Sequence, residues 1–235
     1  MKISFAIPFH NEKENLSILL PLIEKNLSKT DKFEFEVNLV DDLSDDGSNE
    51  FCEKFIDSNI SKVRFNLFKL KKKGFQSGAL KKGFDESTGD YIICMDADLQ
   101  DDPVHILNFI EKISNNYEIV IGVRKNRKAP SILTTGLKIY DLIFEKIFKK
   151  NLTTYRAPFV AYKSKYVKNL PWFKNDHRYL IPTAINRGAS LISEIDIPYK
   201  ERERGKSHYN RVLKVFWGIV EFGIFLYRLK SGRYK

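Results

Sequence analysis

The sequence predicts an α/β fold: a mainly parallel, Rossmann-like mixed sheet flanked by helices and followed by an amphipathic C-terminal helix. Two observations lead there. Over the first two-thirds of the chain, short apolar runs of β character alternate with segments of helical periodicity, the pattern of a parallel sheet covered on its faces. Directly behind several of those runs stands a polar cluster: His10-Asn11-Glu12, Asp41-Asp42, Asp96 to Asp98, and Arg124. Ligands of parallel α/β sheets bind beyond the carboxyl ends of the strands, so the clusters mark an enzyme-like site. The 235 residues are 43% hydrophobic, which supplies a sizeable core and argues against disorder.

Taken in order, Ile3 to Ile7 is a buried first strand ended by Pro8. Leu16, Leu19, Leu20, Ile23 and Leu27 recur at helical spacing. Phe33 to Val40 is β-rich and stops at Asp41-Asp42. Glu50 to Ile56 is helical, and Val63 to Leu70 is a third strand. Gly78 to Glu86 is a helix closed by Gly89, and Tyr91 to Met95 is a fourth strand. Pro103 opens a helix with Ile106, Leu107, Ile110 and Ile113 on one face. Ile119 to Val123 is a fifth strand. Leu133 to Phe148 is an amphipathic helix, Phe159 to Tyr162 a short strand, Leu180 to Asn186 a helix ended by Gly188, and Leu191 to Pro198 a strand. After the polar loop Lys200 to His208, Tyr209 to Leu229 is a last helix. One boundary follows, near 205: a catalytic unit over 1–205 and a C-terminal amphipathic helix over 206–235.

The formal net charge of +10 implies an acidic partner: a nucleotide phosphate, an anionic membrane surface or nucleic acid. Two acidic strand ends would repel a nucleic-acid backbone, which counts against the last. Cys52 and Cys94 lack metal-ligand spacing and form no disulfide framework. The first residues are too short and too β-like for a signal peptide. No apolar run reaches the roughly 18 residues a membrane span needs; Val212 to Tyr227 is broken by Lys214 and Glu221.

Asp96-Ala97-Asp98-Leu99-Gln100 follows the strand Tyr-Ile-Ile-Cys-Met. Two carboxylates one residue apart at a strand end resist joint burial without a cation. Mg²⁺ or Mn²⁺ takes one or two carboxylates together with substrate phosphates and water. A helix N-terminus ahead of Pro103 explains the same acids, Asp101 and Asp102 above all, as caps. Asp41-Asp42, with Ser44, Asp45, Asp46 and Gly47, is either a solvated acidic turn or a group that accepts hydrogen bonds from a base or ribose.

These residues resemble those of family-2 glycosyltransferases of the GT-A fold, and in particular the dolichol-phosphate mannose synthase and polyprenyl-phosphate glycosyltransferase branch. The likeness is carried by residues 7–16 (Ile-Pro-Phe-His-Asn-Glu-Lys-Glu-Asn-Leu), 40–48 (Val-Asp-Asp-Leu-Ser-Asp-Asp-Gly-Ser), Gly78 to Gly83, Gly89-Asp90-Tyr91 into 96–100, His177-Arg178-Tyr179 through Gly188 to Pro198, and 201–209 (Glu-Arg-Glu-Arg-Gly-Lys-Ser-His-Tyr). It runs over nearly the whole chain, in order. The resemblance implies that Pro8, His10 and Glu12 line the nucleotide pocket and that Asp42, with Asp41, contacts base or ribose. Asp96 and Ala97 would meet the ribose or sugar side. Asp98 and Gln100, with Asp96, would hold Mg²⁺ or Mn²⁺. Arg124 would meet phosphate charge, and Arg202, Gly205 and Ser207 would belong to a phosphate-gripping loop.

The chain departs from the branch in four places. Leu43 stands where Gly is common, and His208 where Lys is usual. Near 154–160 the usual Asp and Phe-Arg are replaced by Thr154 and Phe159-Val160, with Arg156 nearby. Many relatives continue into membrane-spanning helices, and this chain stops at Lys235.

The expected reaction is inverting transfer from a UDP- or GDP-linked sugar. Asp98, Arg124 and Arg202 act on the leaving diphosphate, and Arg124, Arg127 and Arg202 position a polyprenyl phosphate acceptor. A hydroxyl acceptor on a cell-surface glycan would instead require a base, for which Asp176 is the candidate, although a helix N-cap also explains that residue. A non-catalytic nucleotide-sugar-binding protein is a third reading. The tail, with Phe216, Trp217, Phe222, Phe225 and Tyr227 among basic residues, suits a membrane interface or packing on the catalytic unit. The expected location is cytoplasmic, peripheral on the inner face of the cytoplasmic membrane. Self-association into a homo-oligomer stays open.

Overall fold

The computed structural model describes residues 1–125, 131–199 and 211–235, with backbone alone for 131–138 and 211–217. Its described elements run β1 (Lys2–Phe9), α1 (Lys13–Leu27), β2 (Glu34–Asp41), α2 (Ser48–Ser58), β3 (Arg64–Lys69), α3 (Phe75–Glu86), β4 (Tyr91–Cys94), a 3₁₀ turn (Pro103–His105) leading into α4 (Ile106–Ser114), β5 (Ile119–Lys125), α5 (Ser131–Phe148), β6 (Val160–Lys163), α6 (Leu180–Asn186), β7 (Ile192–Pro198) and α7 (Arg211–Lys230). The strands form one seven-stranded sheet in the order β3-β2-β1-β4-β6-β5-β7. β1 pairs in parallel with β2 and β4, β2 with β3, and β5 with β7. β6 runs antiparallel between β4 and β5, which makes the sheet mixed.

Side-chain alternation assigns each strand residue to one of two cores. Ile3, Phe5 and Ile7 of β1 and Ile93 of β4 join Leu16, Leu20 and Ile23 of α1 and Ile106, Phe109 and Ile113 of α4. Ala6, Ile92 and Cys94 turn the other way, onto Leu80 and Phe84 of α3, Phe144 of α5, Leu180 and Ile181 of α6, and Phe225 of α7. Both faces are covered, so the inner strands read as near-continuous apolar runs. A Cβ at Gly83 would lie 2.9 Å from the Ala6 Cβ, so glycine lets α3 approach β1 closely.

α7 is divided between two environments. Phe225 and Leu229 are buried in the second core, together with Tyr234 just beyond the helix, and Phe222 packs against it. Ile219, Val220, Ile224 and Tyr227 remain exposed. The side chains of Phe216 and Trp217 lie outside the described residues, as does the proposed boundary at 205. Among the described residues, no helix is long and apolar enough to cross a membrane.

Candidate active site

β2 and β3 extend the sheet on one side of β1, and β4 on the other. The chain therefore switches direction between β1 and β4, and the crevice beyond their carboxyl ends is where such a sheet takes a ligand. His10 leaves β1 at that crevice, and Asp96 leaves β4.

On the β1–β2 side, the two loops are laced together. Asn11, in the left-handed region at φ 56°, donates its side-chain amide to Asp45 at 2.7 Å and accepts the Asp45 amide at 2.9 Å. The Asn11 amide donates to Ser44 and the Glu12 amide to Ser48, each at 3.0 Å. Asp46 accepts the Lys13 amide at 3.0 Å and is held below the ordinary carboxylate range: hydrogen bonds from Ser48 and Lys13 outweigh its burial. Beside this lacing, Glu12 is half-buried and His10 exposed. Pro8 and Asp41 are buried. Asp41 Oδ1 accepts both the Ser44 amide (2.8 Å) and its hydroxyl (2.6 Å), so Asp41 builds the turn. Asp42 Oδ1 accepts the Gly74 amide at 2.6 Å, with Lys73 Nζ 3.7 Å from the carboxylate. Leu43 occupies the left-handed region at φ 61°, which glycine adopts without cost; a leucine there stores about 1 kcal/mol.

On the β4 side, Asp96 is half-buried and accepts the Gln76 side-chain amide of α3 at 2.9 Å. Burial first, and the charge of Asp98 next, push its carboxyl up to about 7. A carboxyl raised in this way beside a second carboxylate fits a divalent cation, whose charge would reverse the shift at Asp96. Among the described residues, no three His, Cys, Asp or Glu side chains gather into an all-protein metal cage. A cation held by Asp96 and Asp98 would complete its shell with substrate phosphate and water, as Mg²⁺ and Mn²⁺ commonly do. Ala97 is buried, and Leu99 is left-handed at φ 58°.

The remaining acids divide between two roles. Asp102 caps the 3₁₀ turn by accepting the Val104 amide at 3.0 Å. Asp101, buried, receives Arg124 through two hydrogen bonds of 2.8 Å. Arg124 also donates to Gln100 Oε1 at 3.1 Å and lies 5.9 Å from the Tyr199 ring centroid. Expected to meet phosphate, Arg124 has its charge matched by Asp101; Gln100, expected at the metal, is engaged by Arg124. Sequence spacing gave no sign of either contact, because Asp101 and Arg124 belong to different strand ends.

A cavity of about 620 Å³ opens from this point. Asp96, Val123 and Arg124 form one wall; Asp141 of α5, Arg156, His177 and Arg178 form another. Asp176 is not among the lining residues: its carboxylate accepts the Phe173 amide at 2.9 Å and the Tyr234 hydroxyl at 3.1 Å. It does not cap a helix either, since the residue before the turn at 176–179 is Asn175. Asp141, which the sequence did not single out, is the carboxylate on this wall. Arg202, Gly205 and Ser207 lie outside the described residues, as do Arg127 and His208.

With the geometry in place, the relatives can be compared. Residues 4–170 match the family description "Glycosyl transferase family 2". The chain is 29% identical over 209 residues to the undecaprenyl-phosphate 4-deoxy-4-formamido-L-arabinose transferase of Proteus mirabilis (strain HI4320), covering 89% of this chain and 63% of that protein's length. Its fold superposes on mannosyl-3-phosphoglycerate synthase from Rubrobacter xylanophilus with TM-score 0.72 at 12% identity, over 99% of this chain and 75% of the other. It superposes on glucosyl-3-phosphoglycerate synthase from Mycobacterium tuberculosis, in complex with Mn²⁺ and UDP-glucose, with TM-score 0.67 at 13% identity, over 93% and 76%. These likenesses extend the mixed sheet to GT-A enzymes, and the match over 4–170 fixes the lineage: the chain belongs to glycosyl transferase family 2.

Proposed function

We propose that this chain transfers a sugar from a UDP- or GDP-linked donor to a polyprenyl phosphate, with inversion and with the help of a divalent cation. The observation that carries this reading is Asp96 at the switch crevice, lining a cavity that also presents Arg124, Arg156 and Arg178, with Asp98 two residues beyond it and outside that lining. The nucleoside lies along the β1–β2 edge, between the laced loops, with Asp42 and Glu12 as acceptors for base and ribose. When bound, Mg²⁺ or Mn²⁺ at Asp96 and Asp98 supplies charge neutralisation to the departing diphosphate. Arg202, Gly205 and Ser207, by the family resemblance, enclose the same diphosphate.

Two facts support a phosphate acceptor over a hydroxyl. The Proteus mirabilis relative is named for an undecaprenyl-phosphate product. A hydroxyl nucleophile needs a carboxylate base; Asp176 is held by Phe173 and Tyr234 away from the cavity, and Asp141, on its wall, is engaged by the Tyr155 amide and the Arg156 guanidinium. A phosphate monoester is already an anion and needs orientation instead. Such a lipid would be met at an anionic membrane surface by the exposed Ile139 and Leu142 of α5 and the exposed Ile219, Ile224 and Tyr227 of α7.

The test is direct assay of purified protein with a panel of UDP- and GDP-sugars, Mn²⁺, and either farnesyl phosphate or a glycan acceptor. Transfer to the prenyl phosphate, dependent on Mn²⁺, is the expected result. Transfer to the glycan alone, or none with any donor, would refute the reading.

A further inference from the structure

The cavity's two arginine-bearing walls are satisfied unequally. On the strand-end wall, Arg124 is matched by a carboxylate through two short hydrogen bonds. On the opposite wall, Arg156 reaches Asp141 only at 3.5 Å. Its guanidinium rests 4.6 Å from the Tyr140 ring centroid, and its Nε is buried without a hydrogen-bond partner among the described residues. His177, on the same wall, also keeps a buried Nδ1 without a partner. Burial first, then the neighbouring Arg178, pull the His177 pKa down to about 4, so the ring is neutral and the charge of this wall comes from Arg156 and Arg178. Arg178 is half-exposed and held 2.9 Å from Glu221 of α7. In a cavity wall, a guanidinium held by one long ion-pair contact keeps hydrogen-bonding capacity for the acceptor oxygens of a ligand.

Asp141 is the part that fixes this wall. One of its oxygens accepts the Tyr155 amide at 3.0 Å, and the other faces the Arg156 guanidinium. A single carboxylate on α5 therefore anchors the 153–158 loop and sets the direction of the arginine fork. The loop's other end is tied by Thr153, whose amide and hydroxyl both donate to Glu194 at 2.8 Å. An arginine fork stacked on an aromatic ring and short of acceptors suits the planar, multidentate recognition of a phosphate.

We propose that Arg156, with His177 and Arg178, is a subsite for the phosphate monoester of the acceptor, and that Asp141 is its positioning residue. This rests on the acceptor assignment above and adds to it. The subsite is built from α5, the 153–158 loop and the turn at 176–179 and not from the strand end that carries Asp96, so the acceptor phosphate would be gripped by groups separate from the acidic pair.

The experiment is calorimetric binding of farnesyl phosphate to protein saturated with Mn²⁺ and whichever of UDP and GDP it binds, with farnesol as the control lacking a headgroup. Transfer kinetics are measured on the same samples. Arg156→Gln should weaken farnesyl phosphate binding at least tenfold and raise its KM to match, with nucleotide affinity within twofold of wild type. Asp141→Asn should produce a smaller loss in KM with kcat retained, and Arg156→Lys should restore part of the affinity. If Arg156→Gln does not fold, judged by its melting transition, the Asp141→Asn and Arg156→Lys pair decides. Unchanged farnesyl phosphate affinity in folded Arg156 variants would overturn the proposal, as would farnesol binding as tightly as its phosphate. A collapse of kcat in Asp141→Asn at unchanged acceptor KM would also overturn it, by making Asp141 a base. The two readings fail separately: binding that depends on Arg156 without sugar transfer leaves the subsite and removes the acceptor assignment, whereas transfer indifferent to Arg156 does the reverse.

Discussion

The two sides of the site are built on opposite plans. The β1–β2 edge is densely laced: Asn11, Ser44, Asp45, Asp46 and Ser48 consume one another's hydrogen bonds and Asp42 is tied to Gly74, although Asp41 Oδ2 is buried without a partner among the described residues. The far wall of the cavity holds Arg156 by one long contact and keeps buried nitrogens unpaired. A preformed edge suits a ligand with a fixed shape, such as a nucleoside, because little ordering remains to be done on binding. A wall that presents the Arg156 guanidinium, held by one long contact, suits a partner that brings its own negative charge. Between them stand Asp96 and Asp98: burial, and next the proximity of Asp98, push the Asp96 carboxyl up, and a cation shared with the ligand would relieve the repulsion.

That contrast can be broken at its centre. Asp98→Ala should lower kcat/KM by at least about 10²-fold, the scale of a lost electrostatic contact to a developing charge, while the melting transition stays near wild type. Near-normal turnover in that variant would remove the acidic pair from the chemistry. Next in size, Asn11→Ala cuts both arms of the lacing to Asp45. Each lost bond is worth roughly 1 kcal/mol, so nucleotide affinity should fall about tenfold with acceptor KM unmoved. An equal effect on both ligands would mean that the two sides are not independent.

A third variant lies at the sheet's other end and sharpens the comparison as a control. Buried Glu36 accepts Ser4 and Thr88 and pairs with Lys2. These contacts outweigh its burial and hold its pKa near 2. With the folded value below the unfolded one, the stabilisation is full above about pH 4.5 and is lost as pH falls towards 2. Glu36→Gln should therefore cost about 2 kcal/mol at neutral pH, and the gap from wild type should narrow in urea melts as pH drops through that window. A gap independent of pH would show that the charge contributes nothing. The smallest effect is expected at Leu43→Gly, which releases left-handed strain of up to about 1 kcal/mol; the gain in chain entropy of the unfolded glycine offsets part of it. A loss above that size would mean that the leucine side chain is needed in the turn.

The laced edge was largely legible in the sequence, and the wall around Arg156 was not. Strand runs such as Ile3 to Ile7 and Tyr91 to Met95 announce themselves because both faces are buried, and the acids that follow them stand at strand ends by chain order alone. The pairing of Asp101 with Arg124, by contrast, joins residues 23 apart through a sheet order that no local pattern states. Asp141, Arg156 and His177 come from a helix, a loop and a turn, and each alone reads as an ordinary polar residue. Asp176 reads as a base or a cap from its neighbours, and only the folded chain brings Tyr234 against it.

The central claim is that Asp96 and Asp98 take up a sugar nucleotide through a shared divalent cation. The most direct measurement is calorimetric titration of UDP and GDP into the protein, with Mn²⁺ and with a chelator. For one of the two nucleotides, affinity should rise at least tenfold with Mn²⁺ and lose that gain in Asp98→Ala. Equal affinity in Mn²⁺ and in chelator, or a metal effect that survives the substitution, would contradict the account.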